Sequence, residues 1–214
     1  MFCVICVNNF LNFSSAWCGI ALKESLPISN MDDRHLEETK IEGRIAFSGS
    51  FLQVQSDIVR LPDGKISSRE YIRHPGAVVI LPLFDDNSVL LERQFRYPLN
   101  RVFIEFPAGK IDPNEDSLAT AQRELREETG YTATDWTFVC TIHNAIAYSD
   151  EYLDIFVARG LQAGIQKLDD GEFLDTFSAS VSDLLAWIRE GKVTDVKTVI
   201  GAFWLDKICT GQWV

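Results

Sequence analysis

The sequence predicts a mixed α/β domain, and three observations carry that expectation: two sets of strand-like segments, one helix at residues 115–129 set among them, and helical sequence at the C-terminal end. From Ile41 to Tyr71 apolar and polar residues alternate, and Pro62-Asp63-Gly64 punctuates them, so this stretch reads as a small antiparallel sheet with a hairpin. Beginning at Ala77, AVVILPLF is continuously apolar; an Asp85-Asp86-Asn87 turn follows, then SVLLERQFR. Both read as central strands buried on two faces. In residues 115–129 the period changes: Leu118, Ala121 and Leu125 share one helical stripe, and Gly130 stands where a left-handed cap is expected. Beyond it TFVCTIHNAIAY, YLDIFVARGL and FLDTFS are strand-like, and VSDLLAWIREGK is an amphipathic helix with Ser182 as its N-cap and Gly191 as its stop. No internal repeat or low-complexity tract interrupts this order.

At 214 residues and 46% hydrophobic, the chain has material for one sizeable core with a small appended sheet. Its net charge of -11, from 31 acidic and 20 basic side chains, argues against a protein that holds nucleic acid by neutralising phosphates. It remains compatible with phosphate binding bridged by metal ions. Cys3, Cys6, Cys18, Cys140 and Cys209 are too few for a secreted disulfide scaffold, and a reducing cytoplasm fits them best. Cys3 and Cys6 form a C-x-x-C pair, but a structural zinc needs four ligands and only Cys18 and His35 lie near in sequence. Residues 1–30 lack a basic segment ahead of their apolar stretch, and Asn8, Asn9 and Asn12 interrupt it, which argues against a secretory signal or membrane span. Met31 opens MDDRHLEETK, which reads as an ordinary soluble N-terminus, so residues 1–30 are expected to be an extension outside the fold. Residues 31–73 are then an N-terminal sheet region and residues 74–214 the main domain.

The chemistry is concentrated in PAGKIDPNEDSLATAQRELREETGY, residues 107–131. At about 100° per residue, Glu124 and Glu128 lie one helical turn apart and beside the apolar stripe, so both point inward. Like charges at a core edge repel and lose hydration, and a divalent cation is the economical compensation. Hard carboxylate oxygens suit Mg²⁺ or Mn²⁺, which keep positions open for water and phosphate. Arg123 is expected on the other side of the helix, pairing with Glu127 and reaching back to Glu115. An arbitrary Glu-Glu pair is usually a solvated face. Such a face does not require Gly109, Glu115, Arg123-Glu124 and Gly130 at fixed offsets.

Those offsets reproduce G-x5-E-x7-R-E-U-x-E-E-x-G-U, where U is aliphatic, at Gly109, Glu115, Arg123, Glu124, Leu125, Glu127, Glu128 and Gly130. The chain thus resembles the Nudix family, with Tyr131 in the last aliphatic slot as the one departure. The resemblance spans roughly residues 40–205 and is nearest to the ADP-ribose pyrophosphatase branch, through Gln94-Phe95-Arg96, Glu105-Phe106-Pro107-Ala108-Gly109 and Ser149-Asp150-Glu151. It implies an α/β/α sandwich around a mixed sheet, with the small N-terminal antiparallel sheet making homodimer contacts. It also implies metal-dependent hydrolysis of a P–O–P bridge, foremost ADP-ribose to AMP and ribose 5-phosphate.

Carried over by that resemblance, Glu124, Glu128 and the Ala108 carbonyl would ligate Mg²⁺, or Mn²⁺. Glu127 would be an auxiliary ligand or orienter in catalysis, and Glu151 would position or deprotonate the attacking water. Arg96 and Glu105 would bind substrate; the alternative for Arg96 is a surface ion pair with Glu92. Gly109, Glu115, Arg123 and Gly130 would shape the motif. The branch's Ser-Pro-Gly marker reads Ala145-Ile146-Ala147 here, which leaves GDP-mannose or another nucleoside diphosphate sugar open as substrate. A non-catalytic ligand sensor is the rival reading, although none of the box glutamates is eroded. G-x-S-x-G, G-x-x-x-x-G-K-[ST] and G-x-G-x-x-G are all missing, and His35, His74 and His143 lack metal-ligand spacing. Asp169, Asp170 and Glu172 are expected to form a solvated loop, with Glu172 close enough to reach the site. Phe47 and Phe51 are expected in the core, with stacking on a base as the alternative.

Overall fold

The continuously apolar segment at Ala77 becomes the centre of the molecule. In the computed structural model, which describes residues 32–213, it forms β4 (Ala77–Pro82), with every residue buried. Three strands precede it, β1 (Thr39–Ser48), β2 (Gln53–Arg60) and β3 (Ile66–Arg73), which make the expected antiparallel sheet. The β2–β3 turn is closed by Leu61 donating to the Lys65 carbonyl at 2.8 Å. After β4 come β5 (Ser88–Arg96), β6 (Arg101–Glu105), β7 (Ala108–Lys110) and helix α1 (Ser117–Thr129). The chain continues through β8 (Tyr131–Thr132), β9 (Asp135–Ile142), β10 (Leu153–Arg159), β11 (Gln162–Ala163) and β12 (Leu174–Ser180), and ends in helices α2 (Val181–Arg189) and α3 (Val196–Cys209). Residues 38–214 make one compact unit.

β4 lies in a four-stranded sheet of order β7-β4-β10-β9, parallel to β10, whereas β7–β4 and β10–β9 are antiparallel. The expected mixed sheet is therefore present. Alternation along β4 decides the layers. Val78 and Ile80 pack with Ala121 and Leu125 of α1 and with Phe156 and Ala158 of β10. Val79 and Leu81 face the opposite way, into a larger cluster with Leu91, Phe106, Ile155, Leu184, Ala202 and Leu205, which brings in α2, α3 and the antiparallel sheet β12-β5-β6. β4 is buried on both faces, as expected. β5 is so only over Val89–Glu92, and its second half turns to solvent.

Two local expectations need correction. Leu118 is exposed, so the buried stripe of α1 is Ala121 and Leu125 and continues into Glu128 and Thr129. The N-cap of α2 is Ser180, whose hydroxyl accepts from the Asp183 N–H at 3.0 Å, because the helix starts two residues earlier than Ser182 would allow. Gly130 caps α1 in the left-handed region, φ 76°, and donates to the Arg126 carbonyl. Cys140 and Cys209 are free thiols, whereas the Cys3, Cys6 and Cys18 reading lies outside the described residues. Among the described residues no helix is long and apolar enough to cross a membrane.

Candidate active site

The motif residues are organised by α1 and by the strand it packs on. Asp116 caps the helix, accepting from the Ala119 N–H at 2.9 Å. Just ahead of it, Glu115 reaches back to Arg123 at 3.0 Å, which holds the Glu115 carboxyl below the usual carboxylate range. The expectation that Arg123 stands apart from Glu124 does not hold. One guanidinium clamps Glu115, Glu124 at 2.7 Å and Glu127 at 3.2 Å, because its planar fork presents several donors at once. Gly109 faces this clamp: a Cβ there would come within 1.9 Å of the Glu124 carboxyl, so Glu124 occupies space that only glycine leaves. Glu128 is buried and accepts from the Ala108 N–H at 3.0 Å. Burial, then the charges of Glu92 and Glu124, raise its carboxyl well above the ordinary range. Glu124 is raised too, by burial, against the opposing pull of Arg123.

Below these side chains lies a floor built by β5 and β6. Glu92 and Glu105 are opposite one another across the two strands, so their side chains share a face. Glu105 is buried, and Arg96 grips it with Nε and Nη2, each at 2.7 Å. Lys197 of α3 closes on the same carboxylate and also on Asp195 at 3.0 Å. Burial works to raise the Glu105 carboxyl, but Arg96 and Lys197 together outweigh it and hold it low. Glu105 is thus the buried counterion beneath Arg96. The surface pair of Arg96 with Glu92 is overturned: Glu92 is fully buried, and neither of its carboxylate oxygens has a hydrogen-bond partner. Burial, followed by the Glu105 charge, pushes Glu92 up to about 8.

Above the floor a cleft opens in two lobes that share the wall Phe51, Arg96 and Ala108-Gly109-Lys110. The first, about 310 Å³, is lined by Glu124, Glu127, Glu128, Asp169 and Glu172, so the acidic loop borders the site. The second, about 240 Å³, contains His74, Asn144 and Glu151. Glu151 lies 3.6 Å from the His74 ring and 3.5 Å from the Asn144 amide. Its loop is tied to the end of β3: Ile72 donates to the Tyr148 carbonyl at 2.8 Å, and the His74 N–H donates to Asp150 at 2.7 Å. Ile146, in the slot of the missing proline, is 82% exposed. Phe47 and Phe51 are exposed and not core residues; Phe51 sits at the β1–β2 turn with the Lys110 ammonium 4.6 Å above its ring. Tyr131 packs edge-on against Phe84, ring centres 5.7 Å apart, and so fills its slot as an apolar residue would.

The donor set suits a hard divalent cation: carboxylates dominate one lobe, and Gly109 leaves room for Glu124. As the side chains stand, no three His, Cys, Asp or Glu groups among the described residues converge on one point. Arg123 and the Ala108 N–H hold Glu124 and Glu128 in their present places. Sequence reasoning missed Lys197 in the cleft wall and the burial of Glu92 opposite Glu105. The available signal for Glu92 was a carboxylate continuing the apolar run Val89-Leu90-Leu91; Lys197 carried none, since nothing in sequence brings α3 to β6.

A mixed sheet between α1 and the C-terminal helices, with an acidic cleft along the motif helix, defines a phosphate-site domain of the α/β/α class. The NUDIX domain profile matches residues 73–197. The chain is 37% identical over 175 residues to an ADP-ribose pyrophosphatase of Bacillus subtilis (strain 168), covering 81% of this chain and 95% of that one. It is also 37% identical over 172 residues to a methanol dehydrogenase activator of Bacillus methanolicus, covering 79% and 93%. A crystal structure of an ADP compounds hydrolase superposes with a TM-score of 0.75 at 24% identity, over 83% of this chain and 97% of that one, a likeness of fold. The chain belongs to the Nudix family, whose hydrolases generally depend on a divalent metal.

Proposed function

We propose that this protein hydrolyses the P–O–P bridge of ADP-ribose, giving AMP and ribose 5-phosphate, with Mg²⁺ or Mn²⁺ as cofactor. The observation that carries the reading is the wall common to both lobes. A diphosphate lying along Arg96 and Ala108-Gly109-Lys110 has the carboxylates of α1 on one side and Glu151 on the other. The relative named as an ADP-ribose pyrophosphatase supports the choice of substrate.

Glu124, Glu128 and the Ala108 carbonyl are the groups that would hold the cation, with Glu127 orienting it. When bound, the cation supplies charge neutralisation at the phosphate oxygens and acidifies its water. Arg96 spends Nε and Nη2 on Glu105, and Nη1 is the nitrogen it offers to a phosphate oxygen. Glu105 and Lys197 fix the direction of that guanidinium, a preorganised positive charge where negative charge accumulates. Glu151 takes the proton of the attacking water. Its loop is pinned to β3 by main-chain hydrogen bonds, which sets where that carboxylate stands.

Ile146 favours keeping a second substrate reading, GDP-mannose or another nucleoside diphosphate sugar, because its exposed side chain stands in the loop that precedes Glu151. We place the protein in the cytoplasm, as its few cysteines suggest. A homodimer formed through the N-terminal sheet is supported by β1, all ten of whose residues are exposed, Ile41, Ile45 and Phe47 among them. The test is product release from ADP-ribose, GDP-mannose, UDP-glucose, NADH and a nucleoside triphosphate, with and without Mg²⁺. Metal-dependent AMP release, selective for ADP-ribose, is expected. Preference for another compound moves the substrate, and no turnover of any would favour the ligand-sensor reading.

A further inference from the structure

His74 lines the Glu151 lobe and has no part in the mechanism above, yet the chain around it is tied to both neighbours of Glu151. Its own N–H donates to the Asp150 carboxylate at 2.7 Å, and the same carboxylate meets Arg73 Nε at 3.1 Å. Further along, the Ala77 N–H donates to the Tyr152 carbonyl at 3.0 Å. Between them Gly76 takes a left-handed φ of 94°, and the Tyr152 ring stands where a Cβ would go, with Cζ 2.4 Å away. That turn brings the Gly76 N–H to Nδ1 of His74 at 3.2 Å. The imidazole side chain is only 11% exposed, and the Phe51 ring packs edge-on against it with 6.4 Å between centres.

The Gly76 bond decides the tautomer. A backbone N–H can only donate, so Nδ1 is the accepting nitrogen and the ring proton belongs on Nε2. Nε2 is the nitrogen that faces Glu151, 3.6 Å from Oε1, while the Asn144 amide stands 3.5 Å from Oε2. The 3.6 Å separation is longer than a formed hydrogen bond, and contacts to a catalytic carboxylate commonly close once substrate is in place. Main-chain hydrogen bonds to β3 fix the backbone of the loop but leave the torsions of the glutamate side chain free. We infer that His74 is a positioning residue for Glu151: its Nε2–H anchors Oε1, so the carboxylate keeps one orientation toward the attacking water. The inference rests on the reading of Glu151 as the base and deepens it, naming the group that turns a loop carboxylate into an aimed one.

Two substitutions in the full chain separate this role from a structural one. His74→Asn places an amide oxygen near the position of Nδ1, so the Gly76 bond persists while nothing reaches Glu151. His74→Gln carries an amide donor to the position of Nε2 and forfeits the Gly76 bond. Steady-state kinetics on ADP-ribose at saturating Mg²⁺ and melting curves are measured for both. In His74→Asn, kcat is expected to fall about 10-fold or more with KM changed little. His74→Gln is expected to recover much of that loss despite a lower Tm. A merely structural role gives the reverse order, with activity following Tm. Near-parental kcat in His74→Asn, or losses that track the two Tm values, would overturn the role of His74. Adding His74→Asn to Glu151→Gln is expected to cost nothing further, since the group being aimed is gone, and a fully additive loss would also overturn it. Near-parental kcat in Glu151→Gln alone would overturn the base reading and this inference with it.

Discussion

Gly109→Ala tests the architecture of the site through a single methyl group. The new Cβ would stand 1.9 Å from both Cδ and Oε1 of Glu124 and 2.5 Å from its Cγ. Carbon contacts are comfortable at about 3.5 Å, so the carboxyl must retreat by about 1.5 Å or β7 must lift off α1. Glu124 is not free to swing, since Arg123 holds Oε1 at 2.7 Å and is itself anchored by Glu115 and Glu127. Gly109 has no left-handed φ, so the substitution adds no backbone strain of that kind and acts through the contact alone. Overpacking of this sort costs about 1–3 kcal/mol. A displacement of a reacting group by about 1 Å can cost on the order of 10²-fold in rate. The expected result is a folded protein, its Tm lowered by about 2–12 °C for those energies at this chain length, with kcat for ADP-ribose down by about two orders of magnitude and weaker Mn²⁺ binding. Steady-state kinetics at saturating Mg²⁺, Mn²⁺ titration and a melting curve decide it. Parent-like kcat and Mn²⁺ affinity would mean that the position of Glu124 does not matter to the chemistry.

Glu128→Gln should lower turnover by at least about 10²-fold with circular dichroism unchanged, because it removes a carboxylate without changing volume; near-parental rates would remove Glu128 from the metal site. Glu151→Gln should reduce kcat far more than it raises KM, and a change confined to KM would end its assignment as the base. Lys197→Met leaves buried Glu105 with Arg96 alone, so stability should fall by about 3 kcal/mol, roughly 6–12 °C in Tm, with a rise in KM as Arg96 loses its support; an unchanged Tm would show that the buried cluster is not cooperative. For the metal-free protein, Glu92 titrates near 8 when folded and near the ordinary value of about 4.3 when unfolded, so the folded state holds the extra proton between these values, and its contribution is fully present below about pH 4 and lost as pH rises through about 8. Tm in chelator should therefore fall between pH 5.5 and 8.5 with a slope that Glu92→Gln flattens, and an identical slope in that variant would refute the assignment.

Much of the fold is legible because its signals are local. The period-2 alternation of residues 41–71 and the Pro62-Asp63-Gly64 turn specify a hairpin sheet, and the unbroken apolar run of β4 requires cover on both faces. The motif is legible for the same reason: Glu115, Arg123 and Glu127 are brought together by one helix and the loop before it. What the sequence hides depends on packing between distant elements. Leu118 obeys the helical period yet faces solvent, because α1 meets the sheet along a stripe that runs through Ala121 and Leu125 to Glu128. Phe47 and Phe51 have core-like chemistry but are exposed, Phe47 on β1 and Phe51 at the β1–β2 turn, where it walls the cleft. Lys197 reaches Glu105 across 92 positions of sequence, a separation no periodicity can bridge.

The charge arrangement explains why the site needs something the chain does not contain. Glu92 and Glu105 are fixed on neighbouring strands, Glu124, Glu127 and Glu128 on one helix, and Glu172 on a loop beside them. Hydrogen-bonded elements cannot spread apart to relieve repulsion without breaking their ladders, so the repulsion remains in the folded state. Arg123, Arg96 and Lys197 offset part of it, and each is already in close contact with carboxylates other than Glu92 and Glu128. Those two buried acids can be relieved either by protonation or by an external cation. In the metal-free fold burial and neighbouring carboxylates raise both carboxyls, which favours protonation. It does nothing for a diphosphate, whose own negative charge would enter a lobe of carboxylates, whereas a divalent cation relieves the acids and attracts the phosphate with the same charge. The metal-free fold thus carries a stability penalty that grows with pH and that the working complex removes.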